Sequence, residues 1–288
     1  TAAELGPLLA AARPRLLCWD RELAAVVDAL RPKLGAVVPV ALDGDERDEP
    51  FAECRTRPED PPPPVSLAPD HPWVLCYTGG TTGLPRAAIL THGTITWNAT
   101  NTVSSWGLGS RDVAVLNAPM FHTGGLNVFT APLVHAGGCS VLCRGFDVDQ
   151  LFDLVEGPIP GLPVDRGVSC LFGVPAMFQA MMAHPRFATV PLQRLGLVIS
   201  GGAPCPMPVF ERFWARGIDF KTGYGLTEAG PNNFWLPRER VRDKPGAVGW
   251  PLMHVDVRIV AEGGHGVEAG PSEVGELWIR GPHVSPGY

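Results

Sequence analysis

The stretch Tyr77-Thr78-Gly79-Gly80-Thr81-Thr82-Gly83-Leu84-Pro85-Arg86 concentrates groups able to hold an anion. Its glycines let main-chain N–H groups turn toward one point, and the threonine hydroxyls add donors on the same concave surface. A phosphate fits such a loop; so does a plain hairpin connection, because Gly and Thr are ordinary turn residues. The Walker A pattern is not met, since no Lys-Ser or Lys-Thr follows the last glycine. Ser200-Gly201-Gly202-Ala203-Pro204 stands between an apolar run and a helical pattern, where parallel strands present their carboxyl ends to ligands, although a simple strand-to-helix turn uses the same glycines. Gly223-Tyr224-Gly225-Leu226-Thr227-Glu228 offers a π face, a neutral hydroxyl donor and a hard oxygen ligand; alone, its Thr-Glu pair is an ordinary helix start. His122, within Pro119-Met120-Phe121-His122-Thr123-Gly124-Gly125-Leu126, is by itself more often a packed interior histidine than a catalyst.

The elements that must carry these residues follow from periodicity. Leu5 to Ala12 and Arg21 to Leu30 read as helices, each leading to a strand, Arg15 to Trp19 and Ala36 to Ala41. Apolar runs Trp73 to Cys76 and Ala87 to Leu90 flank the glycine- and threonine-rich loop as strands. Thr91-His92-Gly93-Thr94 can cap a helix running through Asn98 and Val103. Strands then alternate with helices: Asp112 to Asn117, Leu126 to His135, Cys139 to Leu142, Val148 to Val155, Val168 to Phe172, Ala176 to Ala183, Leu195 to Ser200, Met207 to Arg216 and Ile218 to Thr222. This α/β alternation predicts parallel sheets covered by helices on both faces. Past Gly249, Val255 to Val260 and Gly275 to Arg280 alternate as strands, so the C-terminal end should be an antiparallel, β-rich, barrel-like segment. The organisation expected is a leading α/β segment over 1–42, an acidic and Pro-rich linker over 43–70, an α/β core over 71–250 and the start of a β-rich subdomain over 251–288. Gly157 to Pro163 reads as a small surface insertion.

The chain has 288 residues, 45% of them hydrophobic and 18% charged, enough to bury a sizeable core. A formal charge of -6 disfavours nucleic acid or an anionic membrane surface as the main partner, so an anionic substrate must be held by local donors and metal. Apolar runs are too short and too often broken by Gly, Pro or His to span a membrane. Seven scattered cysteines without Cys-x-x-Cys spacing suit a reducing, cytoplasmic setting, and Cys139 and Cys143 read as strand residues, not metal ligands. Asn98-Ala99-Thr100 matches a glycosylation sequon, which has no meaning without secretion.

Tyr77 to Arg86 closely resembles the phosphate-binding loop of the adenylate-forming superfamily, and four further stretches resemble that family in the order it requires. Two loop positions depart from its usual form: Gly79 stands where Ser is usual, removing a hydroxyl, and Arg86 where Lys is usual, replacing a compact ammonium by a planar fork. Pro119 to Leu126 resembles the segment that borders the acyl pocket in acyl-activating members. Ser200 to Pro204 resembles the peptide lying along adenine and acyl groups, and Tyr224 to Glu228 the motif whose ring stacks on adenine. Pro245 to Pro251 and Gly275 to Pro282 resemble the turn and strand that follow, with mainly structural roles.

The resemblance implies that Thr78, Gly79, Gly80, Thr81, Thr82, Gly83, Gly201, Gly202, Ala203, Gly223 and Tyr224 contact nucleotide, and that His122, Thr123, Gly124 and Gly125 contact the acyl group. Arg86, Thr227 and Glu228 would be catalytic, with Glu228 also a Mg²⁺ ligand. The activity implied is that of an acyl-CoA ligase: a fatty or aryl carboxylate, MgATP and CoA as small-molecule partners, acyl-AMP as intermediate. An amino-acid-activating domain is disfavoured because His122 stands where those relatives commonly carry an Asp for the α-ammonium. A nucleotide-binding module without turnover is the rival from another class. The family's ribose-binding Asp, hinge and small C-terminal domain with its Lys have no counterpart among these residues, so the 288 residues alone are expected to be inactive.

Overall fold

The computed structural model describes residues 1–43, 47–51, 65–79, 85–263 and 266–288. It divides into two units, Thr1–Ser66 and Leu67–Tyr288. In the first, helix α1 (Ala2–Ala12) opens on a reciprocal capping pair between Thr1 and Glu4, and α2 (Ala24–Leu30) buries Val27 and Leu30. Strands β1 (Leu16–Trp19), β2 (Val38–Ala41) and β3 (Glu49–Pro50) form a parallel sheet in that order. β3 lies within the stretch expected to be solvated linker. Asp48, next to it, explains why: its carboxylate accepts the Trp19 indole N–H at 2.8 Å and both Arg31 Nη groups at 2.7 Å. Pro61 to Pro64 lie outside the described residues.

The second unit begins with the antiparallel hairpin of β4 (Pro72–Thr78) and β5 (Arg86–Thr91), the two strands expected around the loop. Thr91 then caps α3 (His92–Trp106), its hydroxyl accepting the Thr94 N–H while Thr94 Oγ1 accepts that of Thr91. The central sheet is parallel, built from β6 (Val113–Leu116), β7 (Cys139–Leu142), β8 (Cys170–Gly173), β9 (Leu197–Ser200) and β10 (Lys221–Thr222) in the order β10-β9-β8-β6-β7.

Alternate residues of these strands feed two cores, as the pleat demands. Val113, Val115, Leu171 and Val198 pack with Phe152 of α6 (Val148–Glu156), Phe178 of α7 (Pro175–Ala183) and Phe213 of α8 (Met207–Ala215). Ala114, Cys170, Leu197 and Ile199 pack with Trp106, Val128, Phe129 and Leu133 on the opposite face. The Gly157 to Pro163 stretch lies at the surface, with Pro158, Pro160, Gly161 and Pro163 exposed, and is anchored by Ile159, 4% exposed within the first core. Short strands β11 (Phe234–Trp235) and β12 (Trp250–Pro251) pair antiparallel, and β13 (Asp256–Ala261) and β14 (Gly275–Arg280) form an antiparallel ribbon whose Val257 and Ile279 pack on the second core.

The strand order sets the site. The chain leaves β6 for β7 on one side and returns to β8 on the other, so a crevice opens outside the carboxyl ends of β6 and β8.

Candidate functional site

The helix after β6 starts at that crevice. It runs as α4 (Thr123–Gly125), a π turn (Leu126–Thr130) and α5 (Ala131–Ala136), three residues earlier than the periodicity predicts. A π turn leaves main-chain carbonyls needing partners, and asparagines supply them. Asn98 Nδ2 donates to Asn127 O at 3.0 Å, and Asn232 Nδ2 donates to Val128 O at 3.0 Å and Thr102 Oγ1 at 2.9 Å. Thr130 Oγ1 donates to Gly125 O at 2.8 Å and Asn127 Nδ2 to Thr123 Oγ1 at 3.0 Å, so the glycine-rich start of the helix is held from both sides. Asn98, the sequon residue, is only 1% exposed.

Thr123 and Gly124 face Gly201, Gly202 and Gly223 across a cleft of about 100 Å³, whose apolar walls are Val128, Phe172 and Ile199. Its floor includes Ser200, fully buried with its hydroxyl beside the Cys205 thiol. Phe172 explains two of the glycines. A Cβ on Gly124 would stand 3.2 Å from its ring, and one on Gly201 3.1 Å from the other edge. Gly202 takes φ +79, which an L side chain resists. Gly125 is buried, and any side chain there would strike the carbonyls of Ala118 and Pro119, so that glycine answers to packing. A larger hollow, about 810 Å³, lies between α1 and β2 in Thr1–Ser66, but it carries none of the candidate residues.

Around the cleft the remaining candidates fall into two groups. Tyr224 is 41% exposed and stands edge-on to Phe234 at 5.9 Å; Ala203 is exposed. His122 and Phe121 are exposed, their rings 4.7 Å apart, and neither lines the cleft. Cys76, whose thiol is pushed up by burial, donates its S–H to Phe121 O at 3.4 Å and so ties the hairpin to this segment. Thr78 Oγ1 donates to Arg86 O at 3.4 Å, closing the hairpin; Gly79 is exposed, and a Cβ there would meet no atom of the described residues within 4 Å. Gly80, Thr81, Thr82 and Gly83 lie outside the described residues.

Thr227 and Glu228 form a single 3₁₀ turn with Ala229. Glu228 Oε1 accepts the Tyr288 hydroxyl at 2.7 Å, and the Arg86 guanidinium lies 5.7 Å from the centre of the Tyr288 ring. The hydrogen bond to Glu228 pushes the Tyr288 hydroxyl above its ordinary pKa. Among the described residues no group of three His, Cys, Asp or Glu gathers to cage a metal. One carboxylate suits Mg²⁺ delivered with ATP, where phosphates and water fill the other positions, and does not suit a resident ion.

Phe172, Asn232 and Tyr288 escape sequence reasoning. Of these, Phe172 left a signal, its place at the carboxyl end of a strand.

The family described as AMP-binding enzyme matches the chain over residues 1–288. A feruloyl-CoA synthase of an Amycolatopsis species is 38% identical over 230 residues, which are 80% of this chain and 45% of that protein. Indoleacetate–CoA ligase of Aromatoleum aromaticum is 32% identical over 287 residues, 98% of this chain and 54% of that one. The solved structure of ATP-bound MatB from Rhodopseudomonas palustris aligns at TM-score 0.84 and 27% identity over 100% of this chain and 55% of its own. The chain spans about half the length of the curated relatives it matches. With a match over its full length, and a parallel-sheet crevice bounded by glycines after β9 and β10 and at the start of α4, the chain belongs to the AMP-binding enzyme family.

Proposed function

We propose that the protein activates a carboxylic acid with ATP and passes the acyl group to CoA. The observation that carries this is the cleft itself, which joins the glycines assigned to nucleotide, Gly201, Gly202 and Gly223, to Thr123 and Gly124, assigned to the acyl group. In the first half-reaction a carboxylate oxygen attacks the α-phosphorus of MgATP and pyrophosphate leaves. In the second, the CoA thiol attacks the acyl carbonyl and AMP leaves. Two anions meet in the first step, so neutralising charge matters most: Arg86 and the Mg²⁺ that Glu228 helps hold serve there, with the Thr227 hydroxyl toward the α-phosphate and Tyr224 offering a face to adenine.

Within the fatty or aryl class, the walls favour an aryl acid. A cleft of about 100 Å³ lined by Val128, Phe172 and Ile199 is of ring size, and no acidic side chain among the residues lining it would receive an α-ammonium. Two relatives named for aromatic acids, feruloyl-CoA synthase and indoleacetate–CoA ligase, agree. The test is thioester formation by the full-length protein given aryl acids, fatty acids or amino acids with MgATP and CoA. Aryl-CoA with matching AMP release supports the assignment; nucleotide binding without thioester from any acid would show a binding module instead.

A further inference from the structure

We propose that Tyr288 is a positioning residue for Glu228, holding its carboxylate in one orientation while keeping Arg86 from pairing with it. The inference rests on the adenylation role assigned above to Glu228 and Arg86, and adds a residue to which none of the motif stretches gives a part. The Tyr288 hydroxyl donates to Oε1 of Glu228 at 2.7 Å, which leaves Oε2 and the outer lone pairs of Oε1 for a cation. The ring of the same tyrosine lies under the Arg86 guanidinium, its centre 5.7 Å from Cζ. No ion pair joins Arg86 to Glu228. One phenol thus contacts the two charged groups and keeps each available to a ligand.

The segment that carries Tyr288 is built to hold it there. Ser285 N–H donates to the main-chain carbonyl of Glu228 itself at 2.6 Å, and Ser285 Oγ bonds Ile89 O at 2.9 Å. Ile89 N–H returns a bond to Gly287 O at 2.9 Å, so residues 285–287 run along β5, the second strand of the hairpin, up to the residue before Tyr288. His283 is 1% exposed and donates through Nε2 to Asn233 Oδ1 at 2.8 Å, while Asn233 Nδ2 donates to Gly230 O at 2.9 Å, fastening the segment to the far side of the Thr227–Ala229 turn. These bonds connect the phosphate hairpin, the Glu228 turn and Tyr288 into one frame. On this proposal the Tyr288 bond favours one orientation of the Glu228 carboxylate before any ligand arrives, and pre-ordering of this kind tightens binding without new contacts.

Tyr288→Phe keeps the ring under Arg86 and deletes only the hydrogen bond; Tyr288→Leu removes both. In the full-length protein, Mn²⁺ affinity in the presence of ATP, read by electron paramagnetic resonance, gives a measure independent of turnover. For Tyr288→Phe we expect metal affinity to fall about three- to tenfold, as loss of one exposed charge-assisted bond implies, and kcat for acyl-AMP formation at saturating Mg²⁺ to stay within about twofold. Tyr288→Leu should lower affinity further. In Glu228→Gln the added Tyr288→Phe change should have no further effect. Unchanged metal affinity in Tyr288→Phe, or an effect that persists in the Glu228→Gln background, would overturn the assignment. If Glu228→Gln alone alters neither metal affinity nor acyl-AMP formation, the adenylation role of Glu228 fails first, and that outcome is separable from failure of Tyr288.

Discussion

Phe172 sits where two glycines leave it room, one from the helix start and one from the strand end, and its ring is the partition of the cleft. Behind it a recess of about 10 Å³ is bounded by Asn117 and Ser140, whose side chains lack partners. Phe172→Ala should merge the two spaces and widen acceptance toward bulkier acids, seen as a lower KM for a ring-substituted acid relative to the unsubstituted one; an unchanged ratio would place the acid elsewhere. Glu228→Gln should slow acyl-AMP formation about a hundredfold, with part of the loss recovered at high Mg²⁺. An unaltered rate across a Mg²⁺ titration would remove Glu228 from the reaction. At this scale the sequence exposes Tyr224, Thr227 and Glu228 because their types and order are distinctive. It hides Tyr288, since a tyrosine sixty positions along carries no sign of the carboxylate it meets.

The elements were legible wherever periodicity was clean. The strands around the loop, the capped helix after Thr91 and the parallel alternation all stand close to their expected places. Where side chains from far along the chain decide local geometry, the pattern misleads. The helix at Thr123 begins early and widens into a π turn because Asn98 and Asn232 meet its carbonyls, and no window of sequence contains both. The Gly157 to Pro163 stretch reads as a surface insertion and is mostly exposed, but nothing local marks Ile159 as the residue that enters the core. The same logic yields a prediction. Asn232→Leu strips the π turn of a donor shared among Thr102 and two carbonyls, and should cost about 2–4 kcal/mol of stability, measured by denaturant unfolding of the full-length protein. A loss below about 0.5 kcal/mol would show that the turn holds itself.

Across the whole molecule, two buried bases set the response to pH. Burial lowers the His283 pKa from 6.5 to about 4. Between those values the unfolded imidazole takes a proton that the folded one refuses, so the His283 contribution to stability is complete above about pH 6.5 and falls toward pH 4, by up to about 3 kcal/mol. His283→Gln should flatten that limb of the curve; an unchanged slope would assign the acid sensitivity to other groups. Lys221, 3% exposed and held between Leu236 O at 2.8 Å and the Trp235 ring at 3.3 Å, has its pKa lowered by burial to about 7. The unfolded lysine keeps its proton to about 10.5, so stability rises as pH climbs from about 7 toward that value. Lys221 stands on β10, two residues before Gly223 of the cleft, and His283 bonds Asn233, the neighbour of the cleft residue Asn232. The central claim is that the acid occupies the cleft walled by Val128, Phe172 and Ile199. The measurement that reaches it most directly is acid-dependent exchange of pyrophosphate with ATP by the full-length protein and its Gly124→Ala variant. A methyl group at Gly124 would press the Phe172 ring toward the acid and leave the nucleotide alone. The KM for an aryl acid should rise about tenfold while that for ATP stays within about twofold. An unchanged acid KM, or a rise confined to ATP, would contradict the account.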